Sequence, residues 1–192
     1  MSNRADVLVI AATERELART EGWRTLVCGV GPVEAAIATA SAISQERPRA
    51  ILHVGIAGAR RASGMAPASV VIGDAARYCD LSVSPDWAPS LIAPSTTLLH
   101  AAQRALPTAT LCCIGTSARI DGTSGCDVEA MEGFAVLRAA EVAGIPAIEV
   151  RSISNEIEEQ DRTRWHFEHA FAAIAAVTPT LVDEIVRGLA DA

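Results

Sequence analysis

The stretch that decides the fold is ILHVGIAG at residues 51–58, an apolar run that passes directly into small residues. The same order, an apolar run followed by a small-residue turn, occurs at residues 7–10 and 26–30. Apolar residues at helical spacing follow over residues 33–44. Continuous apolar strands that alternate with helices indicate a sheet covered on both faces. The sequence therefore predicts a single α/β domain over residues 1–192, with a mostly parallel or mixed central sheet.

Further elements are predicted along the rest of the chain. Apolar runs predict strands at residues 69–72, 111–114 and 147–153. Helical patterns occur at residues 11–17, 131–143 and 167–189, with an interruption near Pro179, and prolines and serines predict a loop over residues 80–100.

Ligands of open α/β sheets bind at the carboxyl ends of the strands. The turns that follow the strands are therefore expected around one mouth. These turns are residues 14–16, 29–31, 55–58, 115–117 and 152–155.

Composition narrows the classes of function. Of the 192 residues 50% are apolar, the net charge is −7, and Lys and Arg form no basic patch. A small molecule is therefore the expected partner, rather than a nucleic acid or an anionic membrane. The amino terminus lacks the apolar core of a signal peptide and no apolar run reaches about 18 residues, so the protein is expected in the cytoplasm. The five cysteines are scattered without CxxC spacing and are expected as reduced, buried thiols.

Two local motifs are open to more than one interpretation. Gly29-x-Gly31 resembles a dinucleotide-binding turn, but Glu34 stands where the third glycine belongs and would oppose a pyrophosphate. No nicotinamide or flavin cofactor is therefore expected. In VEAMEG (residues 128–133), Glu129 and Glu132 are three apart and are predicted to share one helix face. Such acids either favour the dipole of an exposed helix start or accept hydrogen bonds from the two hydroxyls of a ribose.

Five motifs in order resemble the purine nucleoside phosphorylase and nucleosidase superfamily, over nearly the whole chain. They are VIAATERELA (9–18), HVGIAGA (53–59), VVIGDAARYCD (70–80), MEGFAV (131–136) and VRSISNE (150–156). The first is similar to the opening of methylthioadenosine/S-adenosylhomocysteine nucleosidases. The resemblance implies a three-layer αβα phosphorylase/hydrolase-like fold with a mixed central sheet, and a homodimer or larger homo-oligomer. It implies neither a metal nor an organic cofactor.

The resemblance also implies roles for individual residues. Glu16 matches the glutamate that activates water in nucleosidases, which favours hydrolysis over phosphorolysis. Met131 and Glu132 match the pair that contacts the ribose, and Ile120 matches the residue whose backbone contacts the base. Gly58 is expected where the backbone approaches the flat base closely.

Two positions depart from the adenine-specific enzymes. Asn155 replaces an aspartic acid that protonates the base, and its amide can donate to the carbonyl of a 6-oxopurine while its oxygen accepts. Arg119 replaces an aromatic residue that stacks on the base, which agrees with an aromatic content of only 4%. Among 6-oxopurine hydrolases the chain most resembles the futalosine hydrolase family of menaquinone biosynthesis. Their substrate carries a benzoate on the 5′ side of its ribose, and Arg119, Arg77 or Arg164 is expected to meet that carboxylate.

The reaction implied is hydrolysis of the N-glycosidic bond through a cationic ribosyl centre. Glu16 would deprotonate water, Glu132 would orient the ribose and Asn155 would stabilise the departing base. Three alternatives remain open from the sequence: an adenine-type nucleosidase, a phosphorylase that uses phosphate, and a non-catalytic nucleoside-binding module.

Overall fold

The computed structural model describes residues 3–18, 22–123 and 125–190. The strands are β1 (Val7–Ala11), β2 (Arg24–Val27), β3 (Ala50–Ala59), β4 (Val70–Tyr78), β5 (Leu91–Ile92), β6 (Thr110–Thr116), β7 (Val128–Ala130) and β8 (Ala147–Glu156). The helices are α1 (Pro32–Gln45), α2 (Thr96–Ala105), α3 (Gly133–Val142) and α4 (Phe167–Ala190). Short 3-10 turns lie at Arg4–Asp6, Glu14–Glu16, Arg61–Ser63 and Arg162–Arg164.

The eight strands form one mixed sheet, in which five strands close into a ring. Strand β3 pairs with β7 and β8, β8 also pairs with β4, and β6 joins β4 to β7. Strands β1 and β2 extend the sheet from β3 with parallel pairing, and β5 pairs with β4. The predicted α/β class with a mixed central sheet is confirmed.

Helices cover both faces of the sheet because successive strand residues point to opposite sides. In β1, Val7 and Val9 pack into a core with α2 and α4, whereas Leu8 and Ile10 pack into a second core with α1 and α3. All four side chains are at most 5% exposed. This alternation separates the two helical layers and gives the three-layer arrangement.

Helix α4 is continuous, so the predicted interruption near Pro179 is wrong. Proline lacks the N–H that would bond the carbonyl four residues earlier, yet apolar residues on both sides of it, including Ile174 and Leu181, are fully buried in one core. That burial accounts for the helix continuing past Pro179. By length and composition α4 would also fit a membrane span, contrary to our reading that no apolar run is long enough, but its buried face belongs to the core of this domain.

Three other local predictions are also wrong. Ala11 belongs to β1, and residues 12–17 contain only the turn Glu14–Glu16, which ends because Leu17 has extended backbone, with φ of −80° and ψ of 127°. The GIAG residues 55–58 lie inside β3, where pairing with β8 continues past a register shift at Ala57/Gly58. The segment 80–100 contains β5 and the start of α2, which packs on α4.

The motif at residues 128–133 is a strand followed by a helix start, so Glu129 and Glu132 do not share a helix face. Glu129 lies in β7, which pairs with β3 and β6, whereas Glu132 is the N-cap of α3. The cysteines are unbridged as expected, but only Cys28 and Cys126 are buried. The other three, Cys79, Cys112 and Cys113, are partly exposed.

Candidate active site

A cavity of about 310 Å³ lies where β1, β3 and β8 end. Four of the five turns expected around one mouth contribute to its wall, at residues 14–16, 29–31, 55–58 and 152–155. The fifth, residues 115–117, is not among the residues that line the cavity, although it is buried nearby. The cavity thus lies at the carboxyl edge of the sheet, as predicted.

Glu16 is 4% exposed, and three donors hold its carboxylate. The backbone N–H and the hydroxyl of Thr13 both donate to its Oε2 at 2.9 Å, and the backbone N–H of Ile56 donates to Oε1 at 3.1 Å. A Cβ at residue 55 would overlap both Glu16 and Arg151, so Gly55 provides the space for them. The carboxylate is therefore fixed at the cavity wall.

Glu132 is 4% exposed and lies on the same cavity. Its Oε1 accepts from the backbone N–H of Gly31 at 3.0 Å, and Nη2 of Arg151 approaches Oε2 at 3.4 Å. Gly31 has φ of +94°, a conformation that favours glycine and directs its N–H toward the carboxylate. Burial raises the pKa of Glu132 above its ordinary value, while Arg151 opposes that rise.

Arg151 is fully buried behind both acids. Its Nε donates to Oε1 of Glu149 at 2.8 Å, and its Nη2 bonds Nε2 of His53. Nδ1 of His53 lies 3.1 Å from the carbonyl of Ile10, which can only accept, so Nδ1 carries the ring proton. Burial and the charge of Arg151 hold the pKa of His53 well below its ordinary value, so this histidine is neutral.

Asn155, at the end of β8, is 6% exposed and is held on both ends of its amide. Its Nδ2 donates to the carbonyl of Glu156 at 2.9 Å, and the Ser154 hydroxyl lies 2.7 Å from its Oδ1. The hydroxyl also lies 3.1 Å from the carbonyl of Ala57, so two acceptors share its one proton. One Nδ2 proton and one Oδ1 lone pair are left for a ligand. A Cβ at Gly58 would approach Nδ2 to 3.1 Å.

A short loop carries Ile120 to the cavity, and two acids hold this loop. Glu129 accepts from the backbone N–H groups of Asp121, Gly122 and Thr123 at 2.7, 3.0 and 3.2 Å. Asp80 accepts from the hydroxyl of Ser117 and the backbone of Ala118. These acids fix the loop backbone beside the cavity.

Arg119 does not line the cavity, so the structure does not support its expected contact with a substrate carboxylate. It is exposed, and the bonds to Asp80 and Glu129 hold its loop. Arg77 and Arg164 do not line the cavity either, and Arg164 pairs with Glu159 at 2.8 Å.

Two other arginines and three aromatic rings lie at the cavity. Arg15 stacks over Phe171 at 4.6 Å, and Arg162 stacks over Trp165 at 5.3 Å. Phe167 lies between the two rings, with centroids 5.4 Å from Trp165 and 6.2 Å from Phe171. The scarcity of aromatic residues therefore does not extend to the cavity, because three of the seven line it. Such a wall suits a flat apolar group that carries a negative charge.

Sequence reasoning missed the residues behind the cavity wall. Glu149 and Arg151 alternate along an apolar strand and therefore point to one face, which was the signal available for them. The contribution of Gly31 to Glu132 had no such signal, since 101 residues separate them. Among the described residues, no group of three His, Cys, Asp or Glu side chains is placed to hold a metal ion.

Comparisons with known proteins agree with this geometry. The family model described as the phosphorylase superfamily matches residues 24–187. The futalosine hydrolase of Streptomyces coelicolor is 31% identical over 80% of this chain and 76% of its own length. A futalosine hydrolase structure from Helicobacter pylori covers 93% of this chain and 97% of its own, at 16% identity and TM-score 0.80.

An adenine complex of a 5′-methylthioadenosine/S-adenosylhomocysteine nucleosidase from Colwellia psychrerythraea is as similar in fold to this chain as the futalosine hydrolase structure is. It covers 95% of both chains at 20% identity and TM-score 0.79. The chain thus belongs to the phosphorylase superfamily. Within it, the chain is a nucleoside hydrolase of the group formed by these nucleosidases and the futalosine hydrolases. The superfamily and the enzyme class, N-glycosyl hydrolase, are confirmed.

Proposed function

We propose that this enzyme hydrolyses the N-glycosidic bond of a 6-oxopurine nucleoside, and that its substrate is futalosine. The observation that carries the choice of base is Asn155. Asn155 lines the cavity, and its amide has one proton and one lone pair beyond its bonds to Glu156 and Ser154, which matches a base with a carbonyl acceptor and an N–H donor. The products would be hypoxanthine and dehypoxanthinyl futalosine.

In this proposal each residue at the cavity has its own role in the reaction. Glu16 takes a proton from water, and Glu132 with Met131 holds the ribose and favours its cationic form. Asn155 stabilises the departing base, which lies against Gly58 and the backbone of Ile120. No step in this scheme uses a metal or an organic cofactor.

The aromatic and arginine-lined part of the cavity supports futalosine as the particular substrate. A benzoate ring can lie against Phe167 and Phe171, and its carboxylate can pair with Arg162 or Arg15. The partner of Arg15, Glu168, is an exposed side chain, so that ion pair can exchange for a ligand at little cost. These arginines replace Arg119 in our proposal for the carboxylate.

A 5′-methylthioadenosine/S-adenosylhomocysteine nucleosidase is the second candidate, because structures of such enzymes match this fold as well as a futalosine hydrolase does. The two candidates require opposite hydrogen-bonding patterns at the base. Adenine offers an amino donor where hypoxanthine offers a carbonyl acceptor, and an asparagine donates to the latter.

One chromatographic assay separates these candidates and the phosphorylase alternative. Purified enzyme is incubated with futalosine, inosine and methylthioadenosine, each with and without phosphate. We expect cleavage of futalosine without phosphate, and at least a tenfold loss of this activity in Asn155→Asp, whose carboxylate repels the base carbonyl. A preference for methylthioadenosine would contradict the base assignment, and an absolute need for phosphate would contradict hydrolysis.

We also propose the setting in which the enzyme acts. Its relatives are metabolic enzymes, and we propose a cytoplasmic protein in which one domain over residues 1–192 carries the activity. We further propose a homodimer or larger homo-oligomer. Apolar side chains of α1 beside the cavity, Val33 and Ile37, are 65% and 62% exposed and support a subunit contact there.

A further inference from the structure

A buried acid that the proposed reaction does not use lies behind the cavity. Glu149 is 1% exposed, and its Oε1 accepts from Nε of Arg151 at 2.8 Å. Its Oε2 is buried and has no hydrogen-bond partner. A buried carboxylate oxygen without a partner is costly, and replacing it by an apolar side chain would remove that cost. Its presence between the buried apolar residues Ile148 and Val150 therefore requires an explanation.

The position of Arg151 explains the buried Glu149, because the positive charge of Arg151 interacts with three acids. Its Nε bonds Glu149, and its Nη2 approaches Glu132 at 3.4 Å. A Cβ at residue 55 would overlap its Nη1 and lie 2.7 Å from Oε1 of Glu16, so Arg151 also acts on Glu16 through its charge. Burial acts to lower the pKa of Arg151, but Glu149 and Glu132 raise it above its ordinary value. One fixed positive charge therefore faces two acids of the cavity and one acid behind it.

We propose that Glu149 is a positioning residue, which anchors Arg151 and supplies its counter-charge, so that the guanidinium does not offset the negative charges that Glu132 and Glu16 present to the cavity. This inference rests on the proposed function. Without Glu149, the guanidinium would be balanced by the two cavity acids alone. Both would then stabilise a cationic ribose less, because Arg151 would offset more of their charge.

Other titratable groups near this ion pair lie on β3, after β2 and on β6. Burial and the charge of Arg151 lower the pKa of His53, and burial raises the pKa of Cys28, after β2, and of Cys112, on β6, to about 12. Each of these shifts favours the uncharged form of its group. The pKa of Glu132 is raised by burial and lowered by Arg151, so it reports on the charge of the ion pair.

Gly133 connects the buried acid to the MEG motif. A Cβ at residue 133 would overlap the carboxyl group of Glu149, so the acid occupies the space that a side chain there would take. Gly133 also starts α3, next to the N-cap Glu132. The glycine of the motif thus admits Glu149 beside the ribose-binding acid.

The test compares wild type with Glu149→Gln, which keeps the shape and removes the charge. The apparent pKa of Glu132, read from the 13C shift of its carboxyl, should fall by about one unit or more, because Arg151 is then unopposed. Turnover should fall at least tenfold with a similar KM, and the acidic limb of the pH profile should move to lower pH. The control is Glu141→Gln, an exposed acid of α3 that pairs with Arg138 and should change neither quantity.

An unchanged pKa of Glu132 in folded Glu149→Gln would overturn the inference. If Glu149→Gln does not fold, Glu149→Asp replaces it. That variant keeps the charge, so the pKa of Glu132 should stay near the wild-type value, and a fall as large as that expected for Glu149→Gln would overturn the inference. The NMR measurement needs no substrate. Wild type that cleaves no nucleoside therefore contradicts the proposed function alone.

Discussion

At the scale of single residues, Glu16 has the strongest case for a direct chemical role. We expect Glu16→Gln to lower kcat by about a hundred- to ten-thousandfold, since an amide cannot take a proton from water. The variant should still fold, with a loss of about 1 kcal/mol, because its NH2 group then faces a donor, either Thr13 or the N–H of Ile56. Steady-state kinetics and urea unfolding measure the two effects.

Glu14 provides the matched control for this substitution. It belongs to the same 3-10 turn but is exposed and does not line the cavity. Glu14→Gln should retain full activity. Wild-type turnover in Glu16→Gln would contradict the water-activating role.

The sequence allowed Glu16, Met131, Glu132 and Asn155 to be predicted at one cavity because each lies in or directly after a recognisable strand or motif. It did not allow the absence of Arg119 from the cavity wall to be predicted. The path of its loop depends on bonds from Asp80 and Glu129, and the bond between Asp80 and Ala118 spans 38 residues. The roles of Arg15 and Arg162 depend likewise on where α4 places its aromatic residues.

At the scale of elements, long apolar strands were predicted well and short or polar ones were not. Strands β1 and β8 stand out because every residue over 7–11 and 147–155 is buried. Strand β7 has only three residues, and its extended form comes from pairing with β3 and β6, which local sequence does not reveal. Tertiary pairing here overrides the helical spacing of the acids in that segment.

Substitution by alanine should lower the stability of the protein at one glycine and raise it at another. Gly55→Ala in β3 would overlap Arg151 and Glu16, and should cost about 1–3 kcal/mol of unfolding free energy together with activity. Gly188→Ala in α4 meets its nearest atom at 3.4 Å, an ordinary contact, and should gain up to about 1 kcal/mol. Urea unfolding of both variants measures these changes. A free energy of unfolding that Gly55→Ala leaves unchanged would show that the side chains of Arg151 and Glu16 can move apart.

At the scale of the whole molecule, Cys28 reports on global opening. It is 3% exposed, and burial, with the charge of Glu132, raises the pKa of its thiol to about 12. The thiol should therefore resist iodoacetamide at pH 8 until urea unfolds the chain, whereas the partly exposed Cys79 should react earlier. Because the thiol ionises more easily in the unfolded chain, stability should fall as pH rises from about 9 toward 12. Peptide mass mapping across a urea series measures the rates at which iodoacetamide labels Cys28 and Cys79. Labelling of Cys28 in the folded protein as fast as in the unfolded chain would contradict its burial.

The ring of five strands also bears on self-association through backbone pairing. A strand inside a closed ring has both sides occupied, so it offers no row of free N–H and C=O groups to another chain. In the part of the chain that the structure describes, the sheet ends at β2, with four residues, and at β5, with two. Edges this short are poor templates for adding a strand from another molecule. The closure that gathers the cavity residues thus also protects the folded enzyme from edge-to-edge aggregation.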